Sequence, residues 1–257
     1  MTDTIIQQLS THLQQGDESK EIIQLLSTHI NTISPTQLMM WLDSIIEKSY
    51  PRTIRLIEHH LISHIDSITA SAIYPFVESA YYQRSSIGMR LLGAKKSYDD
   101  LLRYINIPAI RAKSMAIQIL LKNAPHMVTI NIIETNLSHL SPNELALWLQ
   151  YAYQNRITLS DTHLSKVMSH FSEQAEGETY LELLAETIEF ISAKMSDQEV
   201  MHHFYGDDAM LKEMSSWILA TRFENGASET LIPEIKNALN NKTLRNYAQT
   251  ALQNIQG

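Results

Sequence analysis

The segment EHHLISHID, residues 58–66, sets His60 and His64 four apart. On a helix that spacing puts both imidazoles on one side, where they can hold a metal with Glu58 or His59 nearby. A zinc helix of the HExxH kind needs Glu at position 61, and Leu61 stands there instead. The similar segment VMSHF (167–171) carries His170 with no second His four residues away. The pair is therefore read as structural or surface histidine. His202-His203, followed by Asp207-Asp208, is a second place where imidazole and carboxylate gather, but nothing in the sequence fixes its geometry. His12 and His29 each close a near-identical octet, IIQQLSTH (5–12) and IIQLLSTH (22–29), and read as polar residues beside an apolar stripe. No metal or cofactor is expected.

Other catalytic arrangements are missing from the sequence. There is no cysteine, which removes thiolate nucleophiles, thiolate metal sites and disulfides. There is no GxSxG and no Gly-rich phosphate loop. The paired acids Asp99-Asp100 and Asp207-Asp208 are adjacent, and on a helix adjacent side chains diverge. They read as helix-start residues at the positive end of the dipole. The expectation is a chain that is not an enzyme.

Trp41, Trp148 and Trp217 sit on apolar stripes and are expected in the core. Tyr81 and Tyr82 next to Arg84 are either a stacking surface or a helix end.

Charge is distributed unevenly. The chain carries a formal −8, yet residues 84–122 hold Arg84, Arg90, Lys95, Lys96, Arg103, Arg111, Lys113 and Lys122 against only Asp99 and Asp100. Such a stretch can dock an acidic partner, a phosphate group or nucleic acid. It can equally pair with the acidic flanks on neighbouring helices. Arg84, Arg90, Lys95, Lys96, Arg103, Arg111 and Lys113 are the expected partner-binding residues.

The elements that must position these residues read as helices throughout. Gly and Pro occur only seven times each, too few for a turn-rich β fold. Apolar residues recur at spacings of three and four, as in Ile5, Ile6, Leu9 and Leu13, copied by Ile22, Ile23, Leu26 and Ile30. Gly16, Asp17 and Ser19 supply a stop and a start between the two stripes. Ser34-Pro35 and Ser141-Pro142 each combine a capping hydroxyl with Pro at the first helical position. The remaining prolines mark further starts or kinks. About twelve helices of roughly 10–16 residues are expected, in an all-α fold. The N-terminus lacks a signal-peptide pattern, and no run approaches the roughly 18 apolar residues of a membrane span. A cytoplasmic location is the expectation.

The two Ser-Pro segments also match one another at an offset of 107, from Leu26 against Ile133 to Leu42 against Leu149, with Trp41 on Trp148. Two related halves of about 105 residues are read, near 22–122 and 129–225, with capping helices at 1–16 and 228–257, all within one domain spanning 1–257. Stacked helix pairs of this kind form a solenoid.

KTLRNYAQTALQNI (242–255), with Arg245, Ala248, Ala251, Leu252 and Ile255, resembles the second helix of a HEAT repeat. IPAIRAKSMAIQILL (107–121) is similar, with Pro108, Arg111, Ser114, Ile117 and Leu121 at the same steps. The resemblance implies a HEAT-like, right-handed α-solenoid of antiparallel helix pairs, and it implies no ligand. The function expected is a non-catalytic protein-binding scaffold, adaptor or inhibitor-type partner that holds another protein with an acidic surface. The alternative is a nucleic-acid-binding protein resembling the HEAT-like DNA glycosylases, disfavoured by the acidic net charge. A homo-oligomer through the last helix, with Tyr247, Ala251, Leu252 and Ile255, is a third possibility.

Overall fold

The structure, a computed structural model, describes residues 2–15, 18–46, 50–174, 178–253 and 255. Among these residues every regular element is helical, in sixteen α-helices joined by short 3-10 turns, with no strand. The chain divides into two compact units, residues 1–127 and 128–257. No helix of the described residues is long and apolar enough to cross a membrane.

The first unit comprises α1 (Thr2–Gln15), α2 (Lys20–His29), α3 (Pro35–Ile45), α4 (Pro51–Ser63), α5 (Ala70–Val77), α6 (Tyr82–Ala94), α7 (Tyr98–Ile105) and α8 (Lys113–Asn123). The second comprises α9 (Ile130–Asn136), α10 (Pro142–Gln154), α11 (Asp161–Gln174), α12 (Glu178–Ser192), α13 (Asp197–Tyr205), α14 (Ala209–Glu224), α15 (Ile232–Ala238) and α16 (Arg245–Leu252). The helix count exceeds the expected twelve because several helices are shorter than their apolar periodicity implies. Pro108 lies in a non-helical connection at 106–112, so the HEAT-like segment enters its helix only at Lys113 and leaves Arg111 outside it. Pro125 opens a 3-10 turn, and Pro75 sits inside the eight-residue α5.

The capping signals act as read. The Ser34 hydroxyl accepts from Gln37 N at 3.2 Å, and Pro35 begins α3. Ser141 N donates to Glu144 Oε2 at 2.8 Å in a capping box that opens α10. Gly16 and Asp17 lie outside the described residues, but Ser19 does cap α2, accepting from Ile22 N at 3.4 Å. Each Ser-Pro start follows a 3-10 turn, at Ile30–Thr32 and at Leu137–His139.

In the first unit α6 touches α3, α4, α5, α7 and α8. Arg84 bonds Asp43 on α3, Ser85 Oγ donates to Val77 O on α5 at 2.8 Å, and Arg90 meets Glu58 on α4. Gly93 faces Ile119 on α8. Gly88 makes the closest approach: a Cβ there would lie 2.6 Å from Val77 N and 3.0 Å from the Phe76 carbonyl carbon. Both are backbone atoms, so no side-chain rotation relieves the clash. Gly88→Ala is expected to destabilise the chain by about 1–3 kcal/mol by prising α5 from α6. Urea unfolding followed by far-UV circular dichroism measures it, and an unchanged midpoint would refute the close packing.

In the second unit α14 is the helix most covered by its neighbours, burying nine residues from Leu211 to Phe223. The apolar face of α16 is turned onto α14, with Ala248 and Ala251 fully buried and Leu252 half-buried. Of the four residues offered for self-association, Ala251 is buried, and Tyr247, Leu252 and Ile255 are half-buried.

Three helices end alike. After α14, Gly226 takes a left-handed φ of +69° while Ala227 N donates to Arg222 O at 2.7 Å. After α6 and α10 the same closure places Lys96 (φ +59°) and Arg156 (φ +54°) in the left-handed region, with Ser97 N to Leu92 O at 3.0 Å and Ile157 N to Ala152 O at 2.9 Å.

Candidate functional site

The basic stretch is divided by the fold. Arg84 Nη2 lies 2.6 Å from Asp43 Oδ1, and its guanidinium sits 5.1 Å over the Phe76 ring. Arg90 grips Glu58 with two prongs, Nε to Oε1 and Nη2 to Oε2, the latter at 3.0 Å. Arg103 stacks on Tyr74 and Tyr104 and lies 3.5 Å from Asp100. Tyr104 in turn donates to Glu78 at 2.8 Å, and burial together with that bond pushes its phenol up to about 12. Lys95 reaches the Ile65 carbonyl at 3.4 Å. Lys96 and Arg111 are exposed and Lys113 half-buried, and none has an ion pair or side-chain hydrogen bond among the described residues. Three arginines therefore hold helices together, and the lysines with Arg111 carry what remains of the outward charge.

Beside Arg84 runs an open groove of about 340 Å³. Met39 and Met40 of α3 line one side, and Ile68, Ala72, Pro75 and Phe76 the other. The Arg84–Asp43 pair also lines it. Met40 is 62% exposed, an unusual placement for a large apolar side chain beside other apolar groups. Tyr81, one turn before Arg84, is exposed too. Nothing local in the sequence marks Met40 as exposed, and the groove was not legible there because α5 is far from α3 in sequence.

The His60–His64 pair gathers no third ligand among the described residues. The two rings stack at 4.1 Å, and His64 Nδ1 lies 3.0 Å from the His60 carbonyl oxygen. Burial, with His64 and His59 alongside, lowers the His60 pKa. Glu58, the other possible ligand, belongs to Arg90.

In the second unit the His202-His203 pair acquires a partner that the sequence did not show. Both lie on α13, not in a loop, and Asp161 at the first position of α11 faces them across the helix pair. Asp161 Oδ2 is 2.9 Å from His202 Nε2, and Asp161 Oδ1 is 3.6 Å from His203 Nδ1. Adjacent residues on a helix diverge, so convergence requires different reach: His202 uses its distal nitrogen and His203 its proximal one. His202 and Asp161 are exposed, whereas the His203 side chain is only 8% exposed. Burial lowers the His203 pKa against the opposing pull of Asp161. A depressed imidazole stabilises the fold above its ordinary value of 6.5 and loses that contribution as pH falls below it.

The scaffold around this cluster is well tied. Ser196 and Glu199 form a capping box at the start of α13, and the Ser196 amide, then its hydroxyl, lowers the Glu199 pKa. Ser165 of α11 donates to Asp208 at 2.6 Å, and Asp208 caps α14 by accepting from Leu211 N at 3.0 Å. Asp208 thus caps a helix, as read, and reaches the histidines only through its charge, which pulls the His203 pKa upward. His203 also lines a cleft of about 360 Å³ with Tyr153, Arg156, Lys194 and Glu199. Burial, then the charges of Glu199 and Asp161, raises the Tyr153 pKa.

Of the tryptophans, Trp41 and Trp148 are buried as expected. Trp217 is half-buried and faces a shallow apolar hollow with Leu181 and Ile188. Comparison with known proteins finds no family model that matches the chain and no curated protein with significant similarity.

Proposed function

We propose that the chain is a non-catalytic protein-binding scaffold whose first unit seats an extended polypeptide in the groove between α3 and α5. The carrying observation is that groove: apolar along Met39, Met40 and Phe76, open to solvent, with Met40 62% exposed. An apolar anchor residue fits it by the same burial that makes interface hot spots. The partner's flanking residues are acidic, because Lys96 and Arg111 are outward-facing cations and Lys95 is tied to Ile65, two residues before the groove-lining Ser67. Lys96 holds its charge on a left-handed backbone that glycine would adopt with less strain.

A HEAT-like solenoid of two related halves is the architecture this reading carries. Its support is the shared pattern of 3-10 turn, Ser-Pro start and buried Trp at Trp41 and Trp148.

Selection from a random displayed-peptide library, followed by fluorescence anisotropy of the winners, tests the proposal. Enriched peptides should share an apolar residue flanked by Asp or Glu. Met40→Glu, and separately Lys95→Glu/Lys96→Glu/Arg111→Glu, should each weaken binding at least about tenfold, or 1.4 kcal/mol. No enrichment, or equal affinity in both variants, would overturn it. Salt-sensitive binding of labelled duplex DNA that vanishes in the triple variant would replace the peptide by nucleic acid.

A further inference from the structure

The geometry points to a divalent transition-metal site in the second unit, built from Asp161, His202 and His203. Their ligand atoms all lie within 4.8 Å of one another. Around a tetrahedral zinc with bonds near 2.0–2.2 Å, ligand atoms sit about 3.3 Å apart. His202 Nε2 lies 2.9 Å from Asp161 Oδ2 and His203 Nδ1 lies 3.6 Å from Asp161 Oδ1, one imidazole on each carboxylate oxygen, and with all three ligand atoms inside 4.8 Å side-chain rotations bring them onto one ion.

The second, independent observation is His203 itself. Its Nδ1 is buried, faces Asp161, and has no hydrogen-bond partner among the described residues. At 3.6 Å the carboxylate is too far to accept a proton from it. A buried imidazole nitrogen left without a partner carries a desolvation cost that a ligand removes. A metal ion satisfies that nitrogen and the carboxylate together.

The donor set decides the class of ion. Two imidazoles and one carboxylate suit zinc and its first-row neighbours, whereas magnesium and calcium prefer all-oxygen shells. Three protein ligands leave a coordination position open. His203 lines the cleft that also holds Tyr153, Arg156, Lys194 and Glu199, two cations against one carboxylate, so a small anionic ligand is the class of molecule that position would take. The site lies within one unit and does not depend on the groove in the other.

Zinc titration of the full-length, untagged and chelator-stripped chain tests the inference, followed by isothermal calorimetry and by the visible absorption of cobalt as a stand-in. One ion should bind per chain, with a cobalt spectrum of low-coordinate imidazole ligation. His202→Ala removes an exposed ligand and leaves the fold intact; it should weaken zinc binding by more than about tenfold. Asp161→Asn should do the same, and added zinc should raise the melting temperature of the wild type but of neither variant. His60→Ala/His64→Ala should bind as the wild type does. Absence of saturable one-to-one binding, or the same affinity in His202→Ala and the wild type, overturns the site.

Discussion

Trp148→Ala is expected to destabilise the chain by about 4 kcal/mol, the largest loss of any single truncation considered. The indole is 1% exposed, and its Nε1 donates to the Val128 carbonyl at 3.1 Å, tying α10 to the residue that opens the second unit. Truncation empties the volume of a bicyclic ring and strands that carbonyl. A Phe pair separates the two contributions. Trp41 is also buried, but its Nε1 has no hydrogen-bond partner among the described residues. Trp148→Phe should therefore cost about 1 kcal/mol more than Trp41→Phe. Urea midpoints followed by circular dichroism read both, and equal losses would deny the bond its role.

Arg222→Met should cost about 3 kcal/mol. The guanidinium is buried at the end of α14 and donates to four acceptors: Asp197 at 2.7 Å, the Met195 carbonyl at 2.6 Å, the Ser192 hydroxyl at 3.3 Å and the Ser192 carbonyl. Asp197 is 46% exposed and rehydrates when its partner leaves, so the loss falls mainly on the two carbonyls. A planar fork fills four positions that a lysine cannot, and Arg222→Lys should recover less than half. Thermal unfolding measures this. If Lys restored full stability, charge alone would explain the site, and the hydrogen bonds would not.

The helical class and the main cap positions were legible because they are local. Ser34-Pro35, Ser141-Pro142 and the apolar stripes act within one or two turns. Helix lengths were less legible: Pro108 cuts a periodic stretch that the apolar pattern alone would continue. The basic stretch was visible as composition, but its division was not. Whether Arg90 faces solvent or Glu58 depends on a helix thirty-two residues away. Asp161 was invisible for the same reason, standing forty-one residues before His202 with nothing local to mark it. Trp217 misled because an apolar stripe at helical spacing says which face is apolar, and not whether a neighbour covers it fully.

The left-handed ends of α6 and α10 leave this chain unfinished in one sense. Glycine relaxes such a position by roughly 1 kcal/mol, and the chain uses it after α14 but not at Lys96 or Arg156. Those two turns are where an engineer would look first for added heat tolerance. At Lys96 the gain would come by deleting a cation from the surface proposed for the partner, so on that proposal robustness and recognition compete for the same residue.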